Sequence, residues 1–285
     1  KVSKKIRLEQ VFYRGKNFRE TTKFLRKQNF IPFKNIEKII SLQKNKNFPI
    51  GYIILNKKNF IVGFMGTWFS KRFNNNKDVF CNIHTWIVEK SYRLYSFFLL
   101  SDLYYKNINL VALTPVKSLK GLLIKMGFKK DELLLRLFLN INIFSKKNKY
   151  SIISRKQKIK NLLNKDDLNI FNSFSNEIYN KYVIYNSIDK RSIFFIGCFI
   201  RKKKIKIFNL FYISDKIKFK KDFKEIISII SKETKSIIFG EYIFKKEKSL
   251  FPEKIFFSKS FKKDIYVKSK NKFENIDLLN SDLII

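Results

Sequence analysis

The chain's only histidine and one of its ten arginines lie in the segment HTWIVEKSYRLYSFFLL, residues 84–100. The segment begins as a strand-like apolar run ending at Val88 and continues after Arg93 as a dense apolar run typical of a helix. His84 can serve as a general base because its ordinary pKa is about 6.5. Arg93 stands at a helix start, which favours anions. We interpret Arg93 as a phosphate contact, with a solvated position as the alternative.

The elements before this segment are predicted from hydrophobic periodicity. Residues 16–46 carry apolar side chains at helical spacing and predict one or two helices. From Pro49, two apolar runs flank the polar residues 56–59 and predict a β-hairpin. The run VFCNIHTWIV then predicts a third strand. His84 is therefore expected on a strand within a sheet.

The elements after the segment alternate between helix and strand. The apolar run that follows Arg93 predicts a buried helix, and residues 110–113 predict a short strand. Thr114 is expected to cap the next helix, which ends before Gly127. Residues 132–144 predict a last core strand, with a helix as the alternative. The first half therefore reads helix, helix, β, β, β, helix, β, helix, β.

The second half repeats this order. Residues 145–169 are rich in lysine and predict a link between two lobes. FFIGCFI and IKIFNLFYI predict paired strands, followed by a helix with one apolar face and the strand SIIFGEYIF. The same plan in both halves indicates a tandem duplication. We expect an α/β (α+β) fold of two lobes, residues 1–145 and 146–285, each a mixed, mostly antiparallel sheet flanked by helices.

The basic charge of the chain says little about which class of partner it binds. The 61 Lys and Arg residues outnumber the 23 acidic ones and give a formal net charge of +38. Nucleic-acid readers rely on arginine for bidentate contacts, yet only ten of the basic residues are arginine. Lysine accompanies many Asn, Ile and Phe residues, all with A/T-rich codons. We therefore interpret the charge mainly as genomic composition, and a nucleic-acid partner is not favoured.

The cysteines and the hydropathy pattern favour a cytoplasmic protein. Cys81 and Cys198 are far apart in apolar runs and lack metal or redox spacing, so buried free thiols and no metal are expected. No apolar run approaches about 18 residues, the length of a membrane span. The segment KVSKKIRLEQ lacks the apolar core of a signal peptide. We therefore expect a soluble protein without a transmembrane segment.

About residues 50–130 resemble the GNAT acyltransferase superfamily. In that family the fourth strand ends in an aliphatic residue, followed by a loop of pattern Q/R-x-x-G-x-G/A, a long helix, a strand and a helix ending in GF. The corresponding places here hold Val88, the loop SYRLYS at 91–96, LVALT and KMGF at 125–128. IVEKSYRLYS also resembles the form Y-V-x-x-x-Y-R-x-Y-S found in GNAT relatives of polysaccharide and lipid pathways.

The resemblance implies an acyl-CoA site at the junction between strand and helix. N–H groups that converge at a helix start can hold a pyrophosphate. The pantetheine arm is expected to extend the sheet beside Val88, and Thr114 is a secondary contact. The predicted pyrophosphate contacts are Arg93, Leu94, Tyr95, Ser96 and Phe97.

The loop also departs from the family pattern. Leu94 and Ser96 replace both loop glycines, and Leu94 is expected to crowd the place where phosphate approaches. Leu123 stands where the family frequently has a general-acid tyrosine. An acid would therefore come from elsewhere, or the thiolate would leave without one.

Acyl transfer needs a base for the nucleophile and donors for the thioester carbonyl. The resemblance makes His84 the catalytic base or a substrate contact, with a hydrogen-bonded core histidine as the alternative. Strand alternation places Asn82, His84 and Trp86 on the face of Val88. Trp86 is either a wall of the acceptor pocket or a core residue, and Asn82 either orients the acceptor or is solvated. Cys81 points to the opposite face, which argues against an acyl-cysteine route.

The resulting hypothesis is an enzyme that moves an acetyl or other acyl group from acyl-CoA to an amino or hydroxyl group. The acceptor is a small molecule, with a sugar or nucleotide sugar implied by the polysaccharide-pathway resemblance. The second half lacks the loop pattern and is expected to bind no cofactor and to wall the acceptor pocket. The alternatives are a cofactor-free GNAT-fold module that binds nucleic acid or another polyanion, and a catalytically silent structural partner.

Overall fold

The computed structural model describes residues 5–28, 40, 47–71, 79–106, 108–113, 115–140, 149–174, 179–202, 205–244, 249–251 and 261–269. Within these residues, alternating apolar runs form twelve β-strands. The strands are β1 Ile6–Val11, β2 Gly51–Asn56, β3 Ile61–Lys71, β4 Val79–Val88, β5 Asn109–Ala112, β6 Lys129–Leu139, β7 Tyr150–Ile153, β8 Asn180–Asn186, β9 Ser192–Lys202, β10 Ile205–Ile213, β11 Ile238–Phe244 and β12 Phe261–Lys268.

The same residues form seven α-helices and one 3-10 helix. The 3-10 helix, Lys90–Tyr95, follows β4 directly. Gly127, with a φ of 80°, follows the third α-helix in the left-handed conformation that glycine adopts without strain. The α-helices are α1 Phe18–Arg26, α2 Phe98–Tyr105, α3 Lys117–Lys125, α4 Lys156–Leu162, α5 Lys165–Ser173, α6 Lys216–Lys221 and α7 Phe223–Thr234.

The first compact unit lies within Lys1–Asp131 and Asp264–Ile285. Its strands follow the order β1-β2-β3-β4-β5-β12. The β4–β5 pair is parallel, and the other pairs are antiparallel. One face, which we call the α2 face, packs against Leu99 and Leu100 of α2 and Leu123 of α3. The opposite α1 face packs against Phe24 and Leu25 of α1.

The second compact unit is Glu132–Lys263, with the strand order β6-β11-β10-β9-β8-β7. The β10–β11 pair is parallel and the other pairs are antiparallel. Helix α7 packs Ile226, Ile227 and Ile230 against the apolar face of the sheet. An antiparallel meander that leads into a parallel pair through a helix therefore occurs in both units.

The two units divide the chain elsewhere than at residue 145, the boundary expected from the sequence. Strand β6 follows α3 in the chain, yet residues 133–139 pair with β11 of the second unit. Strand β12 follows the second unit in the chain, yet residues 266–268 pair with β5 of the first. Each unit therefore contains a strand from the other half of the sequence.

The predicted mixed α/β architecture is confirmed. The hairpin β2–β3, the strands β4, β5 and β6, and the helices α2 and α3 lie where the sequence predicts them. Strand β1 was not predicted, because its burial is only partial and its apolar residues are few. The segment expected to link the lobes holds the strand β7 as well as α4 and part of α5. Thr114 lies outside the described residues.

Candidate functional site

Strand β4 contains a β-bulge in its middle. Its pairing with β3 shifts by one residue, so that Thr85 and Trp86 together face the single residue Met65. Thr85 has a φ of 48°, in the left-handed region. A β-branched residue adopts this conformation only at a cost in free energy, and such strain concentrates at functional sites. The extra residue also inverts the alternation of the side chains that follow it.

This inversion separates the residues that were expected to share a face. Trp86 and Val88 pack in the apolar cluster on the α2 face, together with Cys81. Because alternation is regular from Cys81 to the bulge, Asn82 and His84 point to the α1 face. The prediction of one shared face for Asn82, His84, Trp86 and Val88 is therefore wrong. The extra residue was not predicted, because nothing within the run VFCNIHTWIV itself marks where it lies.

Beyond the bulge, β4 continues without β5 beside it. The parallel pairing of β4 with β5 ends at Asn82 in the described residues, while β4 itself reaches Val88. The Glu89 N–H donates to the Val62 carbonyl on β3 at 2.8 Å. Since backbone groups alternate sides along a strand, those of Val88 and Trp86 point away from β3. The strand therefore presents backbone groups of Trp86 and Val88 on the side where β5 has ended its pairing.

The helix start after β4 provides N–H donors, at Phe97, which was predicted, and at Phe98, which was not. The N–H groups of Arg93, Leu94 and Tyr95 are used within the 3-10 helix, and the Ser96 N–H donates to the Arg93 carbonyl at 3.0 Å. No side chain caps α2. Among the described residues, the N–H groups of Phe97, at the N-cap, and of Phe98, the first residue of α2, have no backbone acceptor. Phe98 was missed by the sequence analysis.

The winding of this segment follows from its lack of glycine. No described residue between Glu89 and Phe98 has a positive φ. Without glycine the chain takes ordinary helical angles and forms a 3-10 turn that satisfies its own N–H groups. The Leu94 side chain is 87% exposed. It points to solvent and does not fill the start of α2, in contrast to the expected crowding. Arg93 is also exposed.

The imidazole of His84 fills a space made by glycines. Gly51, Gly66 and His84 are directly opposite one another on β2, β3 and β4. A Cβ at Gly66 would overlap the ring. His84 Nδ1 lies 3.0 Å from Thr85 Oγ1. The side chain of His84 is therefore tightly enclosed on the α1 face.

Burial makes His84 a neutral residue. Loss of hydration lowers the pKa of His84 to about 4, although the nearby backbone of Thr67 acts in the opposite direction. Its Nε2 is buried and makes no well-directed hydrogen bond within the described residues. The ring is therefore unprotonated at neutral pH, as a base must be.

A half-buried carboxylate, Asp102, links α2 to the sheet. Asp102 accepts hydrogen bonds from Gln10 on β1 and from Lys106, each at 2.8 Å. Although burial disfavours the carboxylate, hydrogen bonds from Lys106, Gln10 and Tyr52 hold the pKa of Asp102 below its usual range. Burial, reinforced by Asp102, raises the pKa of Tyr52. This network was not predicted, because its members lie on three separate elements of the chain.

The second unit has a bulge at the equivalent place in β10. There Phe211 is the extra residue, and Leu210 just before it pairs with Gly197. Leu210 also pairs with Glu241 on the parallel strand β11. In the first unit the last parallel pair is at Asn82, two residues before His84, which is the residue just before the bulge. The equivalent strands of the second unit therefore stay together further along their length.

The helix start in the second unit is already capped. The Asp215 carboxylate accepts a hydrogen bond from the Lys218 N–H at 2.8 Å, at the beginning of α6. A carboxylate at this place takes the position of an anionic ligand and repels another anion. The helix start that follows the bulged strand is therefore capped in the second unit and has no side-chain cap in the first.

Other groups that could carry chemistry are few. In the part of the chain that the structure describes, no cluster of three His, Cys, Asp or Glu side chains could hold a metal. Cys81 and Cys198 are buried free thiols, as expected. Burial raises the pKa of the Cys81 thiol. None of the described helices is both long and apolar enough to cross a membrane.

This architecture is the fold of the GCN5-related N-acetyltransferases, which confirms the fold that the sequence resemblance implied. The enzyme of that class from Anabaena variabilis ATCC 29413 aligns with a TM-score of 0.60 at 12% identity, over 93% of this chain and 73% of that one. The enzyme of that class from Kribbella flavida aligns with a TM-score of 0.57 at 8% identity, over 93% of this chain and 71% of that one.

A lipid-transferring enzyme shares the fold as well. Saccharomyces cerevisiae N-myristoyltransferase, solved with bound myristoyl-CoA, aligns with a TM-score of 0.50 at 12% identity, over 94% of this chain and 80% of that one. No protein-family model matches the sequence, and no curated protein matches it significantly. At these identities, the likeness establishes the fold.

Proposed function

We propose that the chain transfers an acyl group from acyl-CoA to the amino or hydroxyl group of a small acceptor, using one site in the first unit. The observation that carries this proposal is the combination of an open strand edge and an uncapped helix start. Strand β4 leaves its parallel neighbour after Asn82, and two free N–H groups lie at the start of α2. The structural neighbours with this fold are acyltransferases by name, and one holds myristoyl-CoA.

The two features suit different parts of the co-substrate. The backbone of Trp86 and Val88 offers hydrogen bonds to the amide groups of a pantetheine arm, as an added strand would. The N–H groups of Phe97 and Phe98, with the positive end of α2 behind them, suit a pyrophosphate. Arg93 lies in the preceding turn and supplies a positive charge. In this assignment Leu94, Tyr95 and Ser96 shape the turn, because their N–H groups are already used.

His84 remains our proposed base. Its ring is neutral at physiological pH, and its Nε2 makes no well-directed hydrogen bond within the described residues. It lies on the α1 face with Asn82, so we propose that the acceptor approaches from that face. Trp86 lies on the other face and is reassigned from the acceptor to the pantetheine arm. A purely structural role, in which His84 fills the space above Gly66, is the competing explanation.

The second unit is proposed to bind no cofactor. Its helix start carries the Asp215 carboxylate, and its parallel strands remain paired up to the bulge. The equal strand plan of the two units supports a tandem duplication in which one copy has lost the site. The expected stoichiometry is one acyl-CoA per chain. A sugar or nucleotide sugar as the acceptor, and a cytoplasmic location, stay predictions from the sequence.

Thermal unfolding with acetyl-CoA, longer acyl-CoAs and free CoA tests the proposal. A ligand at a hundred times its Kd stabilises the protein by about 2.7 kcal/mol. For a unit of this size, that raises Tm by about 5–10 °C. Arg93→Ala should weaken binding about tenfold or more, because a charge-assisted hydrogen bond contributes about 1.5–3 kcal/mol. Arg201→Ala, which removes an exposed arginine in the second unit, is the matched control.

Two results would contradict this function. Absence of a shift with every thioester at millimolar concentration would exclude the acyl-CoA site. Salt-sensitive binding of a polyanion without any CoA response would favour the alternative binding role, for which the net charge of +38 is the supporting observation.

A further inference from the structure

Large apolar side chains are exposed at the start of α2. Leu94 is 87% exposed, Phe97 44% and Phe98 37%. The rings of Phe97 and Phe98 stack with their centroids 4.4 Å apart and their planes at 27°. The Tyr95 ring lies 6.1 Å from that of Phe98. We call the stacked pair Phe97 and Phe98 the aromatic platform. Contiguous exposure of this kind marks a binding surface more often than chance.

The aromatic platform is formed by the same two residues whose N–H groups have no backbone acceptor. Phe97 and Phe98 supply both the rings and these N–H groups. Lys90 and Arg93, both exposed, lie in the preceding turn, where Glu89 is the acidic residue. The surface therefore offers donors and positive charge for an anion, directly beside a stacked pair of aromatic rings.

We infer that the aromatic platform binds the adenine ring of the co-substrate. This inference rests on the proposed function and adds a subsite to it. A phosphate held at the start of α2 places the attached nucleoside near the same turn. A purine has two apolar faces, and an aromatic side chain binds such a face without needing base-specific hydrogen bonds. The aromatic platform thus compensates for the missing glycines, because the segment binds the nucleotide through its base as well as through its phosphate.

The test compares two ligands that differ in adenosine and in the two phosphate groups attached to it, so the contribution of the base is measured by the ring variants. Acetyl-CoA carries the adenosine, and acetyl-4′-phosphopantetheine ends at a phosphate and lacks it. Calorimetric titration should show tighter binding of acetyl-CoA to the unmodified protein. Base stacking contributes about 1–3 kcal/mol by alanine substitution, so Phe98→Ala should weaken acetyl-CoA binding by about 5- to 150-fold. Its affinity for acetyl-4′-phosphopantetheine should stay within about twofold.

Two further variants distinguish the loss of the ring contact from a loss of folded protein. Phe97→Leu retains an apolar side chain and removes the ring, so it should reproduce the selective loss without exposing new surface. Tyr105→Ala removes an aromatic ring that is 83% exposed at the other end of α2. That ring lies about 10 Å along the helix from Phe98, and its removal should change neither affinity.

The outcomes separate this inference from the proposed function. If both ligands bind and the Phe97 and Phe98 variants weaken them equally, or weaken neither, the adenine assignment is overturned and the acyl-CoA site stands. If the unmodified protein binds neither ligand, the proposed function fails and the adenine assignment fails with it.

Discussion

Replacing Gly66 with alanine should destabilise the first unit, because the His84 ring occupies the space above Gly66. A Cβ there would overlap the imidazole. The ring has little freedom to move aside, since His84 is 5% exposed and its Nδ1 lies 3.0 Å from Thr85 Oγ1. An extra methyl group in a packed interior costs about 1–3 kcal/mol. The corresponding loss in Tm is about 2–4 °C for each kcal/mol.

A double-mutant cycle isolates this contact. His84→Ala leaves a cavity and is destabilising by itself, but it makes room for the new methyl group. The combined variant Gly66→Ala, His84→Ala should therefore be more stable than the sum of the two single effects by about 1 kcal/mol or more. Urea unfolding followed by circular dichroism measures all four free energies. Gly121→Ala is the control, since a Cβ there meets nothing within 4 Å and alanine favours the helix α3.

The cycle can refute the geometry of the site. A neutral Gly66→Ala variant would mean that the His84 ring does not lie over Gly66. Additive effects in the double variant would mean that the two side chains do not touch. Either result would remove the basis for placing His84 on the α1 face and, with it, the proposed direction of acceptor approach.

Two other predictions concern charge. Because the pKa of His84 falls to about 4 in the folded chain from about 6.5 unfolded, its contribution to stability is complete above pH 6.5 and disappears toward pH 4. The loss of stability reaches about 3 kcal/mol. His84→Leu should abolish this pH dependence when the free energy of unfolding is measured by urea titration at each pH. An unchanged dependence would show that His84 is not the residue responsible. Asp215→Ala should lower the free energy of unfolding by about 1 kcal/mol, because the helix loses its cap. The affinity for acetyl-CoA should not change. A second bound acetyl-CoA in calorimetry would contradict this expectation and show that the carboxylate alone blocks the second unit.

The strand and helix plan could be predicted from the sequence because it depends on local pattern. Turn residues at 56–59 and the apolar runs on either side define the β2–β3 hairpin. The change from strand to helix between Val88 and Phe98 is equally visible. The exchange of β6 and β12 between the units is different. Their partners β11 and β5 lie about 100 or more residues away in the chain, so packing rather than local sequence selects the pairs.

Two local features of the site escaped prediction for separate physical reasons. The bulge depends on Thr85 in a left-handed conformation that its own type disfavours, so propensity argues against it. The one available signal was the glycine at 66, which leaves space for a large ring on a neighbouring strand. The lack of glycine in the loop is visible in the sequence, but its effect on the backbone of residues 91–96 is not. It moves the free N–H groups along the chain to Phe97 and Phe98 without closing the helix start.

The two units show that the fold alone does not create the proposed site. Both have a bulged strand followed by a helix and a parallel neighbour. They differ in where the parallel pairing stops and in what lies at the helix start. In the first unit pairing stops before the bulge and the Phe97 and Phe98 N–H groups are free; in the second it reaches the bulge and Asp215 caps the helix. Because a helix start attracts an anion only while its donors are unoccupied, the Asp215 carboxylate and the longer parallel pairing together argue against an anion site in the second unit.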